Sequence, residues 1–179
     1  MNLSRLRRAV LAALVLGSAL QLGCSEAEQE EAQKAYLFEA APDGDTLHVI
    51  SADGNRLKVR IAGVDTPERG QAHWRVARSH LINLTQSGNL RLDCYKTDQY
   101  ERSICRVWAD GRDVAASLLE QGLAWHYKRF ASEQTPVERE LYARLETEAQ
   151  QSRRGLWQDP EPMNPSECRK ARRSGQKCR

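Results

Sequence analysis

One short stretch of the chain combines an arginine, two carboxylates and a proline. It reads Arg60-Ile-Ala-Gly-Val-Asp65-Thr-Pro-Glu68. Apolar residues alternate before it and predict a β-strand, and Pro67 restricts both its own φ and the residue before it. Asp65 and Glu68 therefore leave a rigid turn in fixed directions. An arginine beside two fixed acids suits metal-assisted chemistry on a phosphate group, although a strand end followed by a solvated acidic turn explains the stretch equally well.

A third carboxylate comes from an earlier turn, Pro42-Asp-Gly-Asp45. The alternation and the turn residues predict a three-stranded meander with a hairpin turn at Asp53-Gly54. If the hairpin closes there, Asp45 and Asp65 lie at the same edge of the sheet. The predicted strands are 35–41, 46–51 and 56–62.

The rest of the chain adds two strands and three helices to this meander. A helix follows the acidic turn, two strands come next, and the last two helices begin at capping residues (Asp113 and Thr135). The order favours an α+β protein, a five-stranded OB-type Greek-key β-barrel with about three packed helices. The predicted ranges are helix 69–84, strands 90–95 and 102–109, helix 114–121, an extended aromatic segment 123–130, and helix 135–152.

The first 24 residues have the pattern of an export signal: a basic start, an apolar run and small residues. Leu20-Gln-Leu-Gly-Cys24 resembles a bacterial lipoprotein cleavage site, although Gln21 stands where an apolar residue is usual. Lipidation of Cys24 would anchor the protein to a membrane. An ordinary secretory signal, cut nearby, is the alternative. Residues 25–34 are predicted to be a polar linker.

The cysteines indicate an oxidising compartment. There are five, and if Cys24 carries lipid the other four pair evenly. Of the three connectivities, the spacing favours Cys94–Cys105 and Cys168–Cys178. Free thiols are the alternative, whereas a cysteine metal site is disfavoured because no Cys-x-x-Cys pair is present.

The charge distribution argues against a generally basic nucleic-acid binder. Three of the 27 basic residues lie in the signal segment, so the remaining 24 balance the 24 acidic residues. The tail, residues 160–179, is basic and contains two cysteines, and it is predicted to be a loop or a segment stapled by a disulfide. Any surface that binds a polyanion must therefore be a local cluster of basic residues.

Five motifs in order resemble the staphylococcal-nuclease-like, or thermonuclease, family of calcium-dependent nucleases. The resemblance covers residues 35–159 and implies a nuclease-like OB-barrel domain. The motifs are Asp43-Gly-Asp-Thr46, Arg60 with Val64-Asp-Thr-Pro-Glu68, Asp98-Gln-Tyr-Glu-Arg102, Gln121-Gly-Leu-Ala124 and Arg154-Gly-Leu-Trp157.

The resemblance implies a single calcium ion held by Asp45, Asp65 and the backbone carbonyl of Thr66. Asp43 would support this site without binding the ion. A hard divalent cation with several oxygen ligands fits this set. An EF-hand does not, because position 12 counted from Asp43 is Gly54 rather than glutamate.

The same resemblance gives three residues catalytic roles. Glu68 would orient or deprotonate the attacking water, and Arg60 and Arg102 would clamp the phosphate oxygens. The alternatives are a surface strand arginine for Arg60 and, for Arg102, a hairpin arginine that pairs with Glu101.

Tyr100 and Tyr127 match positions that contact the substrate, although core packing is an equal alternative for Tyr127. Two residues depart from the family pattern: Pro42 replaces an apolar strand residue, and Glu101 replaces the glycine that usually precedes the arginine.

The implied protein is an exported, lipid-anchored or secreted monomer that hydrolyses single-stranded or frayed DNA and RNA and leaves 3′-phosphates. Two rivals remain. One is a non-catalytic nucleic-acid- or protein-binding module on the same fold. The other is an envelope lipoprotein whose basic tail binds anionic polymers.

Overall fold

The structure is a computed structural model that describes residues 36–178 of the 179-residue chain. The predicted signal segment, Cys24 and the polar linker lie outside the described residues. Within residues 36–178, no helix is both long and apolar enough to cross a membrane.

Five strands close into a barrel. The main sheet has the order β3-β2-β1-β5-β6-β7, and a parallel pairing between β3 and β6 joins its two sides. The predicted α+β class and OB-type barrel are confirmed. The strands are β1 Tyr36–Ala40, β2 Thr46–Ser51, β3 Arg56–Ile61, β4 Val64–Asp65, β5 Leu90–Thr97, β6 Ser103–Ala109, β7 Arg112–Asp113 and β8 Trp125–His126.

Four α-helices, rather than about three, occur in the part of the chain that the structure describes. The additional helix, α4, lies in the tail that was predicted to be a loop or a stapled segment. Its N-terminus is set by Pro165 and by the Asn164 side chain, which accepts a bond from the Ser166 N–H. The α-helices are α1 Trp74–Thr85, α2 Val114–Glu120, α3 Pro136–Gln151 and α4 Pro165–Arg173, and 3₁₀ helices span Lys128–Glu133 and Gly155–Gln158.

The barrel core follows from the alternation in the sequence. Leu47 and Val49 of β2 and Val59 and Ile61 of β3 are at most 1% exposed. Helices α1 and α2 pack their apolar faces against the same core. Burial of these side chains fixes the strand register, because a one-residue slip would turn them to solvent.

Two predicted elements were wrong in part. Helix α1 begins at Trp74 instead of Arg69, because Gly70 and His73 have φ values of 94° and 64°, outside the helical region. The segment 123–130 is extended only at Trp125–His126. There, β8 pairs with β4 and holds the turn that contains Asp65.

Both predicted disulfides are present in the structure. Cys94 and Cys105 are direct partners in the β5–β6 ladder, and their bond joins the two strands. Cys168, inside α4, bonds to Cys178, which follows the helix.

Two of the five sequence motifs meet where one backbone crosses another. The Leu156 N–H donates to the carbonyl of Gly122 at 2.8 Å. A Cβ on Gly122 would lie 2.3 Å from the carbonyl oxygen of Arg154. These glycines therefore hold the segment after α3 against the end of α2, which is a structural role.

We expect Gly122→Ala to lower the free energy of unfolding by roughly 2–5 kcal/mol, the sum of a left-handed alanine and an overpacked contact. Gly54→Ala is the matched control, because Gly54 also has a positive φ but its Cβ would meet open space. Denaturant unfolding of both variants measures the difference. Equal losses would show that the backbone crossing does not require glycine.

Candidate metal and phosphate site

The structure brings the two predicted metal carboxylates to one edge of the barrel. Thr66 donates to Asp45 Oδ2 from its backbone N–H at 2.8 Å and from its hydroxyl at 3.0 Å. Asp45 and Asp65 are only 7% and 2% exposed. The predicted closure of the meander therefore places Asp45 against the turn that contains Asp65 and Thr66.

The Asp-Gly-Asp loop packs tightly against this turn. Asp43 accepts a bond from the Asp45 N–H at 3.2 Å, as a supporting residue would. A Cβ on Gly44 would lie 2.8 Å from Thr66 Oγ1 and 2.9 Å from the Cβ of Ala77. Glycine is required here because α1 and the turn leave no room for a side chain.

Arg60 lies between the two carboxylates. Its Nη2 atom is 3.3 Å from Asp45 Oδ2 and 3.4 Å from Asp65 Oδ1. The same guanidinium donates to the backbone carbonyls of Ile61 and Val64. Arg60 is 9% exposed, so it is not the surface strand arginine of the alternative interpretation.

Burial destabilises the ionised forms of two carboxylates in this cluster, Asp65 and Asp43. Burial raises the pKa of Asp65 above its usual value despite hydrogen bonds from Arg169, and the charge of Asp45 adds to the effect. Burial also raises the pKa of Asp43, again reinforced by Asp45. A bound cation would offset this cost.

The donor set fits a hard cation. Its protein ligands would be the oxygens of Asp45 and Asp65 and a backbone carbonyl, which suits calcium when water supplies the remaining ligands. Within residues 36–178, no group of three or more His, Cys, Asp or Glu side chains has an arrangement that could hold a metal ion. A metal ion at this edge of the barrel would therefore depend on two carboxylates together with backbone and solvent oxygens.

Glu68 lies three residues after Asp65 on the proline-fixed turn. Its backbone N–H donates to Gln71 Oε1 at 2.8 Å, which holds the turn. Its side chain is 27% exposed, so water can reach it.

Arg102 is held by Asp98 in the turn between β5 and β6. Asp98 accepts bonds from the backbone N–H groups of Tyr100 and Arg102 and from Arg102 Nε at 2.9 Å. These bonds outweigh the effect of burial and lower the pKa of Asp98. Arg102 thus pairs with Asp98 rather than with Glu101, whose positive φ of 62° explains why glycine is favoured there.

Strand pairing brings this turn towards the carboxylates. In the parallel β3–β6 ladder, Ser103 lies beside Val59 and Ile104 beside Arg60. Among the described residues, no hydrogen bond joins Arg102 to the carboxylate cluster. Its part in a phosphate clamp therefore stays a prediction.

The two tyrosines differ in their surroundings. Tyr100 is 65% exposed, and the Arg102 guanidinium lies 5.5 Å from its ring centre. Tyr127 is half-buried, packs edge-on against Phe130 and donates its backbone N–H to the carbonyl of Gly63. Tyr100 is free to contact a ligand, whereas Tyr127 both packs locally and lies near the acidic turn.

Two arginines that the sequence motifs did not predict, Arg169 and Arg172, are brought to the acidic turn by α4. Arg169 bonds to both Asp65 and Glu68, and Arg172 lies 3.8 Å from Glu68 Oε2 and donates to the carbonyl of Arg69. The Asn164-Pro165 start and the basic last turn could have predicted a helix. No local pattern could have predicted its position.

The sequence is similar to those of proteins named as nucleases. The sequence profile described as "Staphylococcal nuclease homologue" matches residues 58–159, more than half of the chain. An "Uncharacterized endonuclease" of Haemophilus influenzae is 31% identical over 128 residues, which cover 72% of this chain and 68% of that protein. A "Micrococcal nuclease" of Shigella flexneri is 31% identical over 138 residues, which cover 72% and 76%.

A plant relative is longer than this chain. The "Staphylococcal-like nuclease CAN1" of Arabidopsis thaliana is 32% identical over 147 residues, which cover 74% of this chain but only 44% of that protein. The match thus covers less than half of the larger protein.

The family match and the relatives named as nucleases show that the chain is of the class of hydrolytic nucleases. The chain belongs to the staphylococcal nuclease homologue family. The predicted family and the enzyme class are confirmed. The matched residues include Arg60, Asp65, Glu68 and Arg102, whereas Asp45 precedes them and α4 follows them.

Proposed function

We propose that this chain is a calcium-dependent nuclease that hydrolyses phosphodiester bonds in DNA and RNA and leaves 3′-phosphates. One observation carries the proposal. The buried carboxylates of Asp45 and Asp65 meet at the turn of Thr66, and Glu68 extends from the same turn.

Asp45, Asp65 and the Thr66 carbonyl would hold the ion. When bound, calcium would polarise the phosphate and lower the pKa of a nearby water. Glu68 accepts a proton from the attacking water, whose oxygen bonds to phosphorus as the bond to O5′ breaks. The O5′ leaving group takes a proton from solvent, so atoms and charge balance.

The arginines stabilise the charge that builds on the phosphate oxygens. Arg102 presents a planar fork that Asp98 holds in place. Arg60 has five N–H donors. Its bonds to the Ile61 and Val64 carbonyls and to Asp65 use some of them and leave others for the phosphate. Tyr100, exposed beside Arg102, would stack on an unpaired base, and such stacking would favour single-stranded or frayed substrates.

The chemistry of the product ends tests this function. A 5′-labelled single-stranded DNA is incubated with the purified protein and calcium. The fragments are then mixed with a template-independent DNA polymerase, before and after phosphatase treatment. We expect extension only after phosphatase, because a 3′-phosphate blocks it. Fragments that extend directly would contradict the proposed bond cleavage, and binding without fragments would favour the non-catalytic module.

We also propose that the protein is exported and anchored through lipidated Cys24. The two disulfides support an oxidising compartment. We expect the wild-type chain to fractionate with bacterial membranes and Cys24→Ala to move to the soluble fraction. Ser25→Ala is the matched control. Equal distribution of the wild-type and Cys24→Ala chains would exclude the anchor.

A further inference from the structure

Arg169 acts as a cation built into the carboxylate site. Its Nη2 atom is 2.8 Å from Asp65 Oδ2, and its Nη1 atom is 3.1 Å from Asp65 Oδ1 and 2.7 Å from Glu68 Oε1. One guanidinium thus engages both oxygens of Asp65 and one oxygen of Glu68. These are the predicted metal ligand and the predicted base.

Several contacts besides this ion pair hold α4 in place. Gln71, whose Oε1 fixes the turn of Glu68, donates through Nε2 to the carbonyl of Met163, just before the helix. Arg172 donates to the Arg69 carbonyl on the same turn. Cys168 is fully buried, and its disulfide to Cys178 ties the following segment back onto the helix. The helix is therefore held against the acidic turn by contacts just before its first residue, at Arg169 and in its last turn.

We propose that α4 is an autoinhibitory element whose Arg169 competes with the divalent cation for Asp65 and with water for Glu68. The inference rests on the proposed function. Calcium binding then requires Arg169 to withdraw from Asp65. The helix lies beyond the residues that the family profile matches, so this control belongs to the tail of this chain.

The competition follows from the geometry of the carboxylates. A carboxylate offers two oxygens, and a bidentate guanidinium uses both in the plane where a cation would bind. The helix is covalently attached, so its arginine is present at a high effective concentration. Linkage is reciprocal: if Arg169 weakens calcium binding, calcium must loosen α4 by the same factor.

A supporting role for Arg169 predicts the opposite result. Two buried acids repel each other, and a fixed arginine could stabilise them for the ion. Loss of Arg169 would then weaken calcium binding. The sign of the change in affinity separates the two roles.

The test is calorimetric titration of calcium into the full chain and into Arg169→Gln. We expect the variant to bind calcium about tenfold more tightly, within the usual range of coupling between sites. Arg173→Gln is the matched control, because it removes the same charge from an exposed position on the same helix and should bind like the wild type.

Two further measurements test the same competition between Arg169 and calcium if Arg169→Gln folds poorly. The double variant Cys168→Ser, Cys178→Ser frees the end of the helix and should also tighten calcium binding, by a smaller factor. In the wild-type chain, calcium should speed hydrogen exchange in residues 165–173.

Unchanged or weaker calcium binding by Arg169→Gln, or calcium-slowed exchange in α4, would overturn the autoinhibitory role while leaving the nuclease proposal intact. Absence of calcium binding in the wild type and in every variant would instead overturn the proposed function.

Discussion

Glu68→Gln is expected to lower the rate constant of DNA cleavage by about 10²–10⁴-fold, the usual contribution of a general base. Glutamine has nearly the same shape as glutamate and keeps an oxygen for Arg169, but it cannot take a proton from water. Because Glu68 is partly exposed, the free energy of unfolding should change little.

Single-turnover cleavage with a saturating excess of enzyme over DNA measures this change, since it reports the chemical step rather than product release. Glu161→Gln, on an exposed loop, is the matched control and should cleave at the wild-type rate. Cleavage by Glu68→Gln at the wild-type rate would show that Glu68 is not the general base.

Arg102→Lys should lower kcat about 10²–10³-fold, as is typical when one donor to a developing oxyanion is lost. Lysine keeps the positive charge but lacks the planar guanidinium group. Asp98 holds that group in place, and it can donate two parallel hydrogen bonds to a phosphate. The pKa of Asp98 lies below its usual 3.8, so the carboxylate that positions Arg102 stays ionised at mildly acidic pH.

Arg144→Lys provides the control for this substitution, because Arg144 pairs with Glu148 on the exposed face of α3. Whether the substitution changes kcat or KM is as informative as the size of the loss in activity. A fall in kcat at unchanged KM would place Arg102 in the transition state, whereas a rise in KM alone would limit it to substrate binding.

The sequence predicted the barrel because its signals were local. Alternation in β2 and β3 marked the residues that the core buries, and the Asp53-Gly54 turn fixed how they pair. That pairing was enough to bring Asp45 to the turn of Asp65. Helix α3 was also predictable, since Thr135 and Pro136 form its cap and first residue.

The features that were missed depend on contacts between distant residues. Arg169 and Asp65 are 104 positions apart, and no spacing rule connects a basic tail to a particular acid. The late start of α1 depends on His73 in a left-handed conformation, which a residue other than glycine adopts only when its surroundings impose it.

The most direct measurement of the proposed mechanism follows cleavage of labelled single-stranded DNA as calcium is added and then removed with a chelator. The wild-type rate should rise to saturation with calcium, fall to background on chelation and return when calcium is restored, while Glu68→Gln stays near background throughout. Cleavage that persists in chelator, or wild-type rates in Glu68→Gln, would contradict a calcium-dependent nuclease built on Asp45, Asp65 and Glu68.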